Sequence, residues 1–256
     1  MRYFATSLMP QAVFLGENID YALARYQLAA GQARNKVVLD AGCGTGFGAE
    51  ILTKTGAKKV FAVDSNQDAI CFAQTHYRDK GLIFQKQDLA QLKFPANYFD
   101  LICCFEVLEH LKDYRRILKE LWRVSKPKGI LMISTPNKAR YSSFSAKPFY
   151  PFHEHEFYLA EFKKILKDFQ IRQILGQHGQ NDIKLESFPR RLYSFLPSSI
   201  KKLILRIYLK LRFFLLRPPE QKAAKTFPIK FDDNLTKARL FVAICQKRER
   251  TDEKKI

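Results

Sequence analysis

A glycine-rich segment, VVLDAGCGTGFG at residues 37–48, is the part of the sequence best suited to holding a ligand. Gly42, Gly44 and Gly46 allow a sharp turn and let a ligand approach the backbone without meeting a Cβ atom. A phosphate-binding P-loop would end in Gly-Lys-Ser/Thr, and this segment does not. A dinucleotide fingerprint fits only residues 44–49 and leaves Asp40 without a role. The segment therefore predicts a binding turn between a strand and a helix.

Three aspartates recur at equal intervals, each after an apolar run: Asp40, Asp64 and Asp88. Strands are predicted at residues 36–40, 59–64, 82–87, 98–105, 129–134 and 238–246, and helices at 17–33, 48–55, 68–80, 113–124 and 160–169. This alternation predicts βαβ units, and apolar strands such as DLICCF suit burial on both faces of a parallel sheet. The acids should then lie at one edge of the sheet, near the glycine turn.

The glycine segment resembles motif I of class I S-adenosylmethionine-dependent methyltransferases, hydrophobic-Asp-x-Gly-x-Gly-x-Gly. The resemblance implies that the turn holds the methionine and ribose parts of S-adenosylmethionine. It also implies that Asp64 binds the ribose hydroxyls and that Asp88 and Leu89 lie near the adenine. The cofactor-binding residues that we expect are Asp40, Gly42, Cys43, Gly44, Thr45, Gly46, Asp64, Ser65, Asp88, Leu89 and Phe105.

The resemblance covers about residues 25–180 and includes FDLICCFEVLEHL (99–111), LWRVSKPKGILMISTPN (121–137) and PFHEHEF (151–157). These segments look most like a bacterial subgroup associated with cell-envelope polysaccharides and lipid-linked glycans. The implied fold is a seven-stranded, Rossmann-like α/β doubly wound sheet, mostly parallel with an antiparallel late strand. The implied reaction is O-methylation of a sugar or lipid-linked glycan, with a quinone-like lipid, RNA 2′-oxygens or a non-catalytic cofactor-binding module as alternatives.

Methyl transfer to a hydroxyl needs a group that removes a proton, and His110 is placed for this just beyond the fourth strand. His153 is the second candidate and Glu106 the third. His110 could instead cap its own turn or contact the cofactor. Glu106, Glu109 and His110 would share one helical face and, with His153 or His155, could form a metal site. We expect no metal, and this alternative stays open.

The net charge of +19 is concentrated in residues 184–217, which hold nine lysines or arginines and one glutamate. Within this segment, SIKKLILRIYLKLRFFLL (199–216) repeats basic residues at helical spacing among apolar ones. Five internal basic residues disfavour a spanning helix, so an amphipathic helix on an anionic membrane surface fits better than packing or nucleic-acid binding. We expect a core at residues 1–183, a basic helical insertion at 184–237, and a last strand with a charged tail at 238–256.

The five cysteines form no CxxC pair, which favours reduced thiols in the cytoplasm over a zinc site or disulfides. The first 20 residues lack the pattern of a signal peptide or a spanning helix. We therefore expect a cytoplasmic protein that lies at the inner face of the membrane. The oligomeric state is left open.

Overall fold

The apolar strands predicted from the sequence assemble into one mixed sheet in the computed structural model. The structure describes residues 18–143, 145, 147, 148, 152–178 and 230–248. The described strands are β1 (Val37–Ala41), β2 (Lys59–Asp64), β3 (Leu82–Lys86), β4 (Phe99–Phe105), β5 (Ser125–Pro136), β6 (Phe169–His178), β7 (Lys230–Asp232) and β8 (Leu240–Lys247). The described helices are α1 (Asn18–Ala30), α2 (Phe47–Lys54), α3 (Gln67–His76), α4 (Tyr114–Val124), α5 (Lys138–Tyr141) and α6 (Leu159–Ile165). One 3₁₀ turn spans Leu108–His110.

The strand order is β3-β2-β1-β4-β5-β8-β6-β7, and the first five strands are parallel. The chain leaves β1 toward β2 on one side and returns to β4 on the other, so the order reverses between β1 and β4. In open sheets of this kind a ligand crevice forms outside the carboxyl ends of the strands at such a reversal. The α/β Rossmann-like prediction is confirmed.

The late strands β8, β6 and β7 are antiparallel to their neighbours, with β8 between β5 and β6. The predicted antiparallel late strand is confirmed, but the sequence does not predict β6 or β7. The helix predicted to run to Phe169 ends at Ile165, and β6 begins at Phe169. Polar residues interrupt β6, so it lacks the apolar run that marks the central strands. The described sheet therefore has eight strands where seven are predicted.

Helices cover both faces of the sheet. Side chains of α1, α2 and α3 join one buried apolar cluster, which contains Tyr26, Leu52 and Ile70. Side chains of α4 and α6 join the other, which contains Leu121 and Phe162. Alternate residues of β2, β4 and β8 enter opposite clusters, as the pleat of a sheet buried on both faces requires.

Close packing between α1 and α2 sets where α2 begins. A Cβ atom at Gly48 would lie 2.0 Å from the ring of Tyr26, so only glycine leaves room for this tyrosine beside the first turn of α2. Tyr26 also makes edge-to-face contacts with Phe47 and Phe105. The fit of Tyr26 thereby couples α1 to the glycine turn and to the end of β4.

The predicted basic segment, residues 184–217, lies outside the described residues, as does the chain start. Among the residues that are described, no helix is long and apolar enough to cross a membrane. Strand β7 falls within the stretch assigned from sequence to the insertion and pairs with β6 at the sheet edge.

Candidate active site

The glycine turn follows β1 and bends the chain through three left-handed positions. Gly42, Gly44 and Gly46 have φ angles of 82°, 53° and 89°. The amides of Gly42 and Cys43 donate to the carbonyl of Val63 at 2.8 and 3.0 Å, which ties the turn to β2. A Cβ atom on Gly46 would lie 2.6 Å from the Phe84 ring, whereas one on Gly44 would meet nothing within 4 Å. Gly44 therefore faces open space, while Gly46 packs against the protein.

Asp64 ends β2 beside this turn, as predicted. Its Oδ2 accepts a hydrogen bond from the amide of Gly44 and its Oδ1 accepts one from the amide of Asn66, both at 2.9 Å. Each carboxylate oxygen can accept a second hydrogen bond. The half-buried Asp64 is thus fixed in position and still able to bind a pair of hydroxyls. Ser65, the next residue, is exposed at the same edge.

Asp88 lies in the turn after β3, two residues beyond the end of the strand. Its Oδ1 accepts from the amide of Ala90 at 2.8 Å, and its side chain is exposed. The neighbouring Leu89 is buried in the core. Asp88 is therefore held by a local turn at the carboxyl edge of the sheet, on the same side as Asp64.

Asp40 differs from the other two acids because it is buried beneath the turn, with 1% of its surface exposed. Its Oδ1 accepts from the hydroxyl of Tyr26 at 2.9 Å, and its Oδ2 has no hydrogen-bond partner. Burial raises the pKa of Asp40 to about 7. Cys43 and Thr45 are also buried, and burial raises the pKa of the Cys43 thiol well above its usual value. Asp40 thus supports the turn from below and keeps one unpaired oxygen.

The second part of the site begins where β4 ends. Val107 contacts the position where Gly42 would carry a Cβ atom, so this segment lies directly against the glycine turn. Glu106 adopts φ 55°, a left-handed conformation that is costly outside glycine. Its Oε1 accepts from the hydroxyl of Ser134 on β5 at 2.6 Å. Phe105, just before it, is buried and has the Arg25 guanidinium 5.9 Å from its ring centre.

His110 follows on the 3₁₀ turn, and the chain after β5 returns to it. Nδ1 of His110 lies 2.9 Å from the carbonyl oxygen of Phe152, and the rings of His110 and His153 are 4.9 Å apart. Burial lowers the pKa of His110. The structure therefore brings the two predicted histidines together, although they are distant in sequence.

Glu109 is the residue of this region that the sequence places only in the metal alternative. Its side chain is 1% exposed, and neither carboxylate oxygen has a hydrogen-bond partner. Its backbone carbonyl accepts from the amides of Glu154 and His155 at 2.7 and 3.1 Å. Burial, and then the nearby charge of Glu106, raise the pKa of Glu109. We call Glu109, His110 and His153 the acceptor cluster. One carboxylate oxygen of Glu109 and one ring nitrogen of each histidine all lie within 4.8 Å of one another.

Two residues beside the cluster have roles that the sequence does not reveal. Glu156 is 1% exposed, and its Oε1 lies 2.8 Å from Nδ1 of His153. Its other oxygen accepts from the hydroxyl of Ser142. His155 instead packs against Phe157 and does not join the cluster. The sequence ranks His153 as a candidate for proton removal but leaves open which of His153 and His155 would join a metal site, and the structure brings His153 into the cluster.

Known proteins resemble the central part of this chain. Residues 39–133 match the methyltransferase domain family. A probable S-adenosylmethionine-dependent methyltransferase of Mycolicibacterium smegmatis is 31% identical over 165 residues, which are 63% of this chain and 63% of that protein. A ubiquinone biosynthesis O-methyltransferase of Coxiella burnetii is 40% identical over 107 residues, which are 41% of this chain and 45% of that protein. The chain thus matches less than two thirds of the length of these curated relatives.

Solved structures share the fold at low sequence identity. A putative methyltransferase of Haloferax volcanii, in complex with the Trm112 activator, superposes with a TM-score of 0.59 at 15% identity, over 91% of this chain and 92% of the other. An N-methyltransferase of Bradyrhizobium japonicum in complex with S-adenosyl-L-homocysteine gives 0.56 at 15% identity, over 91% and 88%. These likenesses establish architecture alone. The matched residues 39–133, which include the glycine turn and Asp64, make this part of the chain similar to class I S-adenosylmethionine-dependent methyltransferases.

Proposed function

We propose that this protein transfers the methyl group of S-adenosylmethionine to a hydroxyl oxygen of a sugar or lipid-linked glycan. The observation that carries the proposal is the contact between Val107 and Gly42. Val107 directly precedes the 3₁₀ turn Leu108–His110, so this contact brings that turn next to the glycine turn, at the strand reversal between β1 and β4. A methyl donor held at the glycine turn would therefore lie next to side chains that can accept the proton of a hydroxyl group.

The glycine turn and Asp64 fit the cofactor on three counts. The open space beside Gly44 admits a ligand against the backbone. Asp64 has acceptor capacity left for a ribose diol. Asp40 has an unpaired buried oxygen beneath the same turn. S-adenosylmethionine supplies a methyl group activated by a positively charged sulfur, and the protein must orient the acceptor in line with it.

Removal of the hydroxyl proton is proposed for His110, with His153 beside it. Nδ1 of His110 donates to the Phe152 carbonyl, so the lone pair of the neutral ring is at Nε2. Because burial lowers its pKa, His110 is uncharged at neutral pH and can accept a proton there. Glu106 accepts a hydrogen bond from the hydroxyl of Ser134, and its carboxylate contributes charge near the site.

The choice of acceptor is supported by sequence. Segments 99–111, 121–137 and 151–157 resemble the glycan-modifying subgroup, and the basic segment 184–217 would hold the protein at an anionic membrane where lipid-linked acceptors occur. A quinone-like lipid is the second candidate, favoured by the 40% identity to a ubiquinone biosynthesis O-methyltransferase. We propose a cytoplasmic location at the inner membrane face, with no nucleic-acid partner.

The test is transfer of a radiolabelled methyl group from S-adenosylmethionine to extracts separated into glycolipids, quinone-type lipids and RNA. Label in glycolipid, with the product heavier by one methylene group, is the expected result. Label in the quinone or RNA fraction would mean that the acceptor belongs to that class and is not a glycan. Binding of S-adenosylhomocysteine with no transfer to any fraction would favour the non-catalytic alternative.

A further inference from the structure

We infer that Glu109, His110 and His153 form a binding site for one divalent metal ion of the zinc, cobalt and manganese class. The donor atoms of these three residues lie within 4.8 Å of one another. Two come from the 3₁₀ turn after β4 and one from the chain that returns after β5. An ion at their centre would join these two segments of the acceptor side.

The side chain of Glu109 is the first independent sign of a ligand. A carboxyl group that is 1% exposed and has no hydrogen-bond partner on either oxygen is rare, because hydrogen bonds normally offset the cost of burying such a group. The Arg25 guanidinium acts on Glu109 through its charge but does not hydrogen-bond to it. Buried charges are normally paired or coordinate a metal, and a cation in the acceptor cluster would satisfy both oxygens.

The two imidazoles are oriented as metal ligands usually are. Nδ1 of His153 lies 2.8 Å from the buried carboxylate of Glu156, and Nδ1 of His110 lies 2.9 Å from the Phe152 carbonyl. Metal-binding histidines commonly donate one ring N–H to a carboxylate or backbone carbonyl, which fixes the tautomer and leaves the other nitrogen to coordinate. We therefore assign Nε2 of His110 as its coordinating atom, and His153 contributes one ring nitrogen to the cluster.

The donor set decides the class of ion. Two imidazoles and one carboxylate match the three-ligand sites of catalytic zinc, while magnesium and calcium prefer oxygen ligands. Three protein ligands leave a position for an outside oxygen such as an acceptor hydroxyl. With an ion bound, His110 would serve as a ligand, and the ion would acidify the hydroxyl, whose proton would pass to water. This last role rests on the proposed function, whereas the ion site rests on geometry alone.

His155 provides a matched control within the same loop. Its ring packs 4.4 Å from that of Phe157 and 5.8 Å from that of Tyr114, outside the acceptor cluster. A histidine two residues from His153 should therefore make no difference to metal binding. Loss of binding through general damage to the loop would affect both positions.

In the experiment the 256-residue chain, stripped of metal with EDTA, is titrated with Zn²⁺, Co²⁺ or Mn²⁺ alone. Binding is followed by calorimetry and by the visible absorption of bound Co²⁺. We expect one ion per chain. Glu109→Gln and His153→Ala should each weaken binding by more than about 100-fold, and Glu156→Gln by about 10–100-fold, the range seen when an outer hydrogen-bond partner is lost. His155→Ala should bind as the unchanged protein does.

S-adenosylhomocysteine binding, measured on the same samples, shows whether each variant is folded and separates this inference from the proposed function. Absence of ion binding in a protein that binds S-adenosylhomocysteine would overturn the metal site alone. Unchanged ion affinity in both Glu109→Gln and His153→Ala, or an equal loss in His155→Ala, would overturn it too. If Glu109→Gln does not fold, His153→Ala, on a loop outside the sheet, decides the question.

Discussion

At the scale of single residues, the three acids that follow strands have different surroundings and different roles. Asp64 holds the turn through the amide of Gly44 and keeps lone pairs for a ligand. Asp88 is exposed and braces its own turn. Asp40 is enclosed, with Tyr26 on one oxygen and nothing on the other. Equal spacing in the sequence therefore leads to three different environments, and burial raises the pKa of Asp40.

The altered acidity of Asp40 predicts a pH dependence of stability. Its pKa is about 7 in the folded protein and 3.8 ordinarily, so the unfolded chain releases this proton first. The contribution of the Asp40 carboxyl group to the free energy of unfolding is complete below about pH 4. It declines as the pH rises to 7, by on the order of 4 kcal/mol at most. Urea unfolding of the ligand-free protein from pH 4 to 8 should show this decline, and Asp40→Asn should remove it. Parallel profiles for both proteins would contradict the assignment.

A second prediction at this scale concerns His110. His110→Ala should lower methyl transfer by about 10²–10⁴-fold, the usual contribution of a positioned proton acceptor, with S-adenosylhomocysteine affinity nearly unchanged. The same loss is expected if His110 holds an ion that acidifies the hydroxyl. His155→Ala is the control, because that ring packs on Phe157. An equal fall in cofactor affinity would mean that His110 has only a structural role.

At the scale of elements, the turn from β1 to α2 is a rigid support with one open position. Its amides bond to Val63 on β2, and Phe84 of β3 fills the space beside Gly46. Of the three glycines in the turn, Gly44 is the one at which an added Cβ atom would meet nothing within 4 Å. Gly44 and Gly46 should therefore respond differently to the same substitution.

Gly44→Ala and Gly46→Ala form a matched pair. Both place alanine at a left-handed position, which costs about 1–2 kcal/mol. Gly46→Ala also drives a methyl group into Phe84, adding about 1–3 kcal/mol of overpacking. We expect Gly46→Ala to lose more stability by urea unfolding, and Gly44→Ala to lose more S-adenosylhomocysteine affinity by calorimetry. The reverse order would mean that the ligand does not lie against Gly44.

What the sequence predicts best are the elements with one strong local signal. The parallel strands are recognisable because each is an apolar run before an acid or a turn, and their bounds agree within a few residues except for β5, which is longer at both ends. Strand β6 escapes prediction because Gln170 and Arg172 interrupt its apolar residues, and pairing with β8 stabilises it. Tertiary pairing of this kind leaves little trace in the local sequence.

The residues of the candidate site also differ in how well the sequence predicts their positions. Glycine turn residues and Asp64 lie within one βαβ unit, so their spacing predicts their meeting. His110 and His153 are far apart in the sequence, and their rings are in contact in the fold. The carboxylate of Glu156 holds the ring of His153 in this position. The isolation of Glu109 depends on what surrounds it in three dimensions. Burial of this kind cannot be inferred from one residue's neighbours in sequence.

At the scale of the whole molecule, the net charge of +19 is the dominant property. Self-repulsion of this size is offset when the protein meets an anionic surface. Lys202, Arg206 and Lys210 recur every four residues, which is the spacing of one helical face, with apolar residues between them. Five basic groups would each cost a few kcal/mol at a bilayer centre but contribute roughly 1 kcal/mol each at anionic head groups.

The chain should therefore bind anionic liposomes without crossing them. Co-sedimentation is expected at low salt, with a strong decrease at high salt as surface charges are screened. Changing Lys202, Arg206 and Lys210 together to Glu should abolish it. Binding to neutral liposomes as strong as to anionic ones, or indifference to the triple change, would contradict this electrostatic account.

The central claim, that the turn and Asp64 hold S-adenosylmethionine, is tested most directly by calorimetric titration with S-adenosylhomocysteine and, in parallel, with NAD. We expect S-adenosylhomocysteine to bind at one site and NAD not to bind. Asp64→Ala should weaken binding by roughly 1–3 kcal/mol, since it removes hydrogen bonds to a charged group. Asp68→Ala, a change at an exposed acid four residues further on, should leave it unchanged. Binding of NAD without S-adenosylhomocysteine, or equal binding by Asp64→Ala and the unchanged protein, would contradict the account.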